Sequence, residues 1–113
     1  MVSQIRPAQF SEWIKKNSPT GNPIVLDVRE PLEIQTASIK AADFDLLCIP
    51  MGSIPSKIQE LPTDRAIACL CHHGSRSMQV AQYLHQNGFQ NVVNISGGIH
   101  LWAQELDVSI PSY

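Results

Sequence analysis

The sequence predicts an α/β fold: a mostly parallel sheet with helices on both faces. Short continuous apolar runs at residues 24–28, 66–70 and 92–95 have the length of strands. They do not alternate with polar residues, which is the pattern of a strand covered on both faces. The segments between them carry helical spacing and are long enough for crossovers, so neighbouring strands should run parallel.

Taken in order, residues 1–6 form a short first strand or arm. Pro7 suits the first turn of a helix, and Phe10, Trp13 and Ile14 share one helical face. Pro19, Gly21 and Pro23 mark a loop. The strand at 24–28 ends in Asp27, Val28, Arg29, Glu30 and Pro31. Ligands of open α/β sheets sit outside the carboxyl ends of strands, so Asp27, Arg29 and Glu30 are supporting candidates. The plainer reading gives Asp27 and Glu30 a structural role, with Glu30 and Glu33 favouring the start of a helix over 31–36. Arg29 then either pairs with a carboxylate or faces the site. Residues 37–45 carry the weakest pattern. Residues 46–49 read as a strand with Cys48 as inert core, and Ile54, Ile58 and Leu61 mark a short helix. Ser77, Val80, Ala81 and Leu84 define the helix after the central strand. Asn87 and Gly88 close it. Gly97 and Gly98 follow the strand at 92–95 and open a helix carrying Ile99, Trp102, Ala103 and Leu106 on one face. They either allow close backbone approach, shaping a wall of the site, or simply make a tight turn. The tail from Asp107 to Tyr113 is expected to be irregular.

The chain has 113 residues, consistent with one domain over 1–113 that buries a real core. With 43% hydrophobic and 16% charged residues it reads as an ordinary soluble protein. A net charge of −2 and no basic block argue against nucleic acid. No apolar run approaches the roughly 18 residues of a membrane span, and the N-terminus lacks a signal-peptide pattern. Three cysteines suggest no disulfide framework, and no CxxC pair points to structural zinc. A reducing cytoplasm is the expected location.

The stretch with chemical content is Cys71, His72, His73, Gly74, Ser75, Arg76 and Ser77, between strand and helix. A glycine-containing turn at a helix start aims backbone N–H groups at one spot and stabilises an anion there. A cysteine at that spot should hold its proton loosely, and Arg76 adds positive charge. The alternative is a buried structural thiol; the Gly74 and Arg76 spacing favours a thiolate nucleophile. Cys69, two residues earlier, would face the same side of the strand and is expected to be core. His72 and His73 either strengthen anion attraction when protonated, below a pKa of roughly 6.5, or simply face solvent.

Together these residues resemble the single-domain rhodanese-like proteins, the sulfurtransferase family. The matching pieces are residues 26–31, 49–52, 61–65, the Cys71 loop, Asn87-Gly88-Phe89, and 94–99 followed by Trp102. They span nearly the whole chain. The resemblance implies a rhodanese-like three-layer domain with a five-stranded, mostly parallel sheet flanked by helices. It implies that Cys71 carries a persulfide, that the backbone from His72 to Ser77 cradles the sulfur, and that Arg76 closes and orients the loop. The expected reaction takes sulfane sulfur from a donor such as thiosulfate and passes it to cyanide or a thiol, in two half-reactions with ping-pong kinetics. No metal or organic cofactor is required. A thioredoxin-like or sulfur-relay protein is a further expected partner.

Two departures stand out. A His-Ile-x-Gly-Ala segment common in the family corresponds here to Ser38-Ile39-Lys40-Ala41-Ala42, and the second loop position, often arginine, is His72. The second change puts thiosulfate preference in question. Other readings are a relay module that turns over poorly with thiosulfate, and a phosphatase or arsenate reductase of related fold. The latter enzymes resemble this loop but hold five residues between cysteine and arginine, whereas here four lie between Cys71 and Arg76.

Overall fold

The computed structural model describes residues 2–113. Five strands, β1 (Ser3–Ile5), β2 (Ile24–Asp27), β3 (Asp45–Cys48), β4 (Ile67–Leu70) and β5 (Val92–Ile95), form one sheet in the order β1-β5-β4-β2-β3. Every pairing is parallel. The helices are α1 (Phe10–Asn17), α2 (Pro31–Thr36), α3 (Ile54–Lys57), α4 (Ser75–Gln86) and α5 (Gly98–Glu105).

The side-chain alternation of each strand divides the core into two layers. Val25, Ala68, Leu70, Val93 and Ile95 meet Phe10, Trp13 and Ile14 of α1 and Ile99 and Trp102 of α5. Ile24, Leu26, Ile67, Cys69 and Val92 meet Ile54 of α3 and Val80, Ala81 and Leu84 of α4. Each of the larger side chains contributes about 1.5–3 kcal/mol by leaving water. Cys69 and Cys71 lie in the same layer, as their spacing requires. Among the described residues no helix is long and apolar enough to cross a membrane.

Register places the site. Asp27 is opposite Leu70, and Cys69 is opposite Asn94. The carboxyl ends of β2, β4 and β5 therefore end level with one another, and the loops that leave them converge.

Two local expectations change. Cys48 is exposed rather than core, because β3 is the sheet's edge and packs on one neighbour only. The apolar spacing of Ile54, Ile58 and Leu61 does not form one helix. The single turn of α3 lies between 3-10 turns at Met51–Ser53 and Ile58–Glu60, with Lys57 at φ −114° and ψ 4° breaking the run. The tail has no regular structure but is not loose packing: Ile110 is buried in the α1/α5 layer. Within 37–45, Ala37, Ile39 and Phe44 are buried too, and Phe44 packs edge-on to Phe10 with ring centroids 5.3 Å apart.

Candidate active site

Cys71 follows the last residue of β4, and the turn 72–74 leads into α4. Gly74 caps that helix at φ +105°, a conformation that costs any residue with a Cβ. The turn directs its N–H inward. The Cys71 Sγ accepts hydrogen bonds from Gly74 N at 3.1 Å, Ser77 N at 3.3 Å and Ser77 Oγ at 3.3 Å. The thiol is 1% exposed. Ser75 opens α4, and Ser77 is fully buried beneath the sulfur.

The loop is braced from β5. Asn94, fully buried, donates through Nδ2 to Gly74 O at 3.1 Å and to Gln4 Oε1 at 3.1 Å. Its Oδ1 lies 2.5 Å from Ser77 Oγ. The Ser77 hydroxyl has one proton and three acceptors in reach: Asn94 Oδ1, Gly74 O and Cys71 Sγ. It can therefore turn toward the sulfur when charge develops there.

A second brace comes from α5. Gly97 and Gly98 have φ +75° and +59°. A Cβ on Gly98 would fall under 3.0 Å from the carbonyl oxygens of Cys71 and His72. That proximity lets Ile99 N donate to Cys71 O at 2.8 Å and His100 N to His72 O at 3.1 Å. Of the two readings of these glycines, close approach is the one realised at Gly98.

The charged residues pair with each other. Arg76 makes two bonds to Glu33 of α2, Nη1 to Oε1 at 2.7 Å and Nη2 to Oε2 at 2.8 Å. This ties the start of α4 to α2. The Arg76 guanidinium holds the Glu33 carboxyl down to about 2, and Glu33 in turn raises Arg76. Arg29 is fully buried and grips Asp27, Nε to Oδ1 at 2.9 Å and Nη2 to Oδ2 at 2.7 Å. Arg29 is thus an ion-pair partner. Glu30 is exposed at the α2 N-cap, its N–H donating to Glu33 Oε1 at 3.0 Å.

Tyr113 joins these pairs to the loop. Its hydroxyl donates to Glu33 Oε2 at 2.8 Å and accepts from Arg29 Nη1 at 3.1 Å. Its ring lies flat on His72, 3.9 Å between centroids and 8° between planes. His73 stacks on His72 as well, also at 3.9 Å. Burial, reinforced by neighbouring His73, pushes the His72 pKa down.

Glu33 as the partner of Arg76, Asn94, His100 and Tyr113 are the residues that sequence reasoning missed. Asn94 carried a signal, since it is a polar residue inside an apolar strand run. Tyr113 carried none.

The fold and this loop define a three-layer α/β protein with a buried cysteine ringed by N–H donors at the carboxyl edge of its sheet. The chain belongs to the rhodanese-like family, whose Rhodanese-like domain model matches residues 10–105. It is 36% identical over 104 residues to a sulfurtransferase of Allochromatium vinosum, covering 92% of this chain and 91% of that protein. It is 38% identical to the putative sulfurtransferase YtwF of Bacillus subtilis, covering 92% and 93%. Among solved structures, a rhodanese-related protein from Thermoplasma volcanium superposes with a TM-score of 0.75 at 36% identity, covering 92% of this chain and 93% of the other.

Proposed function

We propose that the protein is a sulfurtransferase that carries sulfur as a persulfide on Cys71. The observation that carries this reading is the convergence of Gly74 N, Ser77 N and Ser77 Oγ on one buried sulfur. Such donors stabilise negative charge without reorganising. The relatives named as sulfurtransferases over almost their whole length support the same chemistry.

In the first half-reaction the Cys71 thiolate attacks the outer sulfur of thiosulfate. The S–S bond of the donor breaks, and sulfite leaves with the electron pair. Cys71 then bears a terminal sulfur with one negative charge. In the second, cyanide or a thiolate attacks that outer sulfur, a new bond forms to it, and the Cys71 thiolate is released. Gly74 and Ser77 hold the sulfur throughout, while Arg76, paired to Glu33, fixes the loop's position. The burial of Cys71 favours a small donor, or a partner protein that presents a single extended persulfide.

The test is intact mass after incubation with thiosulfate, for the wild type and Cys71→Ala. The expected result is a gain of one sulfur by the wild type alone, reversed by cyanide with release of thiocyanate. No gain from any small donor would reject thiosulfate. Loading from a protein persulfide would then identify a relay module, and hydrolysis of an aryl phosphate would identify a phosphatase.

A further inference from the structure

His72, His73 and His100 each offer a ring nitrogen, and these three atoms lie within 4.8 Å of one another. Two come from the Cys71 loop and the third from α5. Their backbones are fixed relative to one another by the bond from His100 N to His72 O at 3.1 Å. Gly98 permits this approach, because a Cβ there would collide with the loop carbonyls. The positions that carry the three rings are thus built into the packing.

A second observation concerns His72 alone. Its Nε2 is buried and has no hydrogen-bond partner, the one such side-chain atom among the described residues. A buried imidazole nitrogen without a partner is unfavourable. A cation is one group that supplies the missing partner. Arg76, on the same loop, is neutralised by Glu33 and does not oppose a cation.

We propose that His72, His73 and His100 form a binding site for a borderline divalent cation of the zinc class. Imidazole donors suit zinc, nickel and copper, whereas magnesium and calcium require oxygen ligands. Tetrahedral zinc with bonds of about 2.0–2.1 Å places its nitrogens roughly 3.3 Å apart. The rings must therefore close by a modest movement. His73 and His100 are exposed, and turning the His100 ring gives up only a 3.4 Å contact between its Nε2 and Gln104 Nε2 on the surface. His73 in particular turns out of its stack on His72 so that both lone pairs meet one ion. Three protein ligands leave a fourth position open to water or to an anion. None of the three imidazoles is among the donors to the Cys71 sulfur, which come from Gly74 and Ser77.

The test is titration of the Cys71→Ser variant with cobalt(II), read by visible absorption, and with zinc(II), read by displacement of cobalt and by the shift in Tm. Removing Cys71 excludes its thiolate as the ligand. The expected result is one equivalent bound, with Tm rising as the metal links α5 to the loop. His73→Ala and His100→Ala should each weaken binding by tenfold or more. His85→Ala, a change at the remaining exposed histidine on α4, should leave binding as it is. Unchanged Tm without metal verifies that each variant is folded. Absence of binding by Cys71→Ser, or an affinity in His73→Ala and His100→Ala unchanged from that of the parent Cys71→Ser protein, would overturn the proposal. Both readouts are independent of sulfur transfer, so the site and the Cys71 chemistry stand or fall separately.

Discussion

Replacing Gly98 with alanine should destabilise the protein far more than the same change at Gly88. Both glycines have positive φ, +59° and +96°. At either position alanine adopts a left-handed conformation costing about 1–2 kcal/mol. At Gly88 the new methyl group meets nothing within 4 Å, so that cost is the whole effect. At Gly98 it lands under 3.0 Å from the carbonyl oxygens of Cys71 and His72. Those atoms are backbone, so α5 and the loop must separate. The bonds from Ile99 N at 2.8 Å and His100 N at 3.1 Å then lengthen together, losing about 1 kcal/mol each. The sum for Gly98→Ala is about 3–4 kcal/mol, a large share of the roughly 5–15 kcal/mol that holds a domain together. Gly52, at negative φ with open space around it, serves as a third reference near zero. Urea unfolding of the three variants, with the m-value monitored, measures the differences. A Gly98→Ala cost no greater than that of Gly88→Ala would refute the close-approach argument.

Two further outcomes follow from the site's bonds. Ser77→Ala removes the hydroxyl but keeps the backbone N–H on the sulfur, so sulfur loading should slow by about 10–100-fold, as expected for one bond to a charged group of about 1.5–3 kcal/mol; stopped-flow loading with thiosulfate checks it, and an unchanged rate would mean the hydroxyl serves Asn94 alone. Glu33, held down to about 2 chiefly by Arg76, binds protons less readily folded than unfolded, so its stabilisation is complete above the ordinary carboxylate range and is lost as pH falls from about 4.5 toward 2. Glu33→Gln should lower neutral-pH stability by about 1 kcal/mol, the scale of a partly exposed pair, and flatten the acid limb of the stability curve; an acid limb as steep as the wild type's would place the titrating group elsewhere.

The fold was legible where the chain repeats one kind of information locally. Val25 and Leu26, or Ala68 and Cys69, face opposite layers, and a continuous apolar run is the record of both being covered. The same run cannot tell a central strand from an edge one, which is why Cys48 reads as core and lies exposed. Ile54, Ile58 and Leu61 repeat at helical spacing, yet the spacing does not register the break at Lys57. The loop was legible because its glycine, serine and arginine are contiguous with Cys71. Its supports were not, because they come from residues 4, 33, 94, 98 and 113, far apart in sequence. Such contacts follow from register and topology, which no local pattern encodes.

The way the charges are disposed bears on the chemistry. Arg29 and Arg76, the arginines of the two motif segments, are each bound to a carboxylate. The groups that contact the Cys71 sulfur are uncharged: two backbone N–H groups and one hydroxyl. On the sulfur-carrier reading this arrangement is the useful one. Thiolate and persulfide each carry one negative charge, so the load adds an atom without adding charge. A free guanidinium at the sulfur would bind either anion strongly and oppose release to an acceptor. Fixed dipoles braced by Asn94 and α5 favour the anion in both states by similar amounts. The difference between loaded and empty states then rests on the donor and acceptor, which is what a group carrier requires.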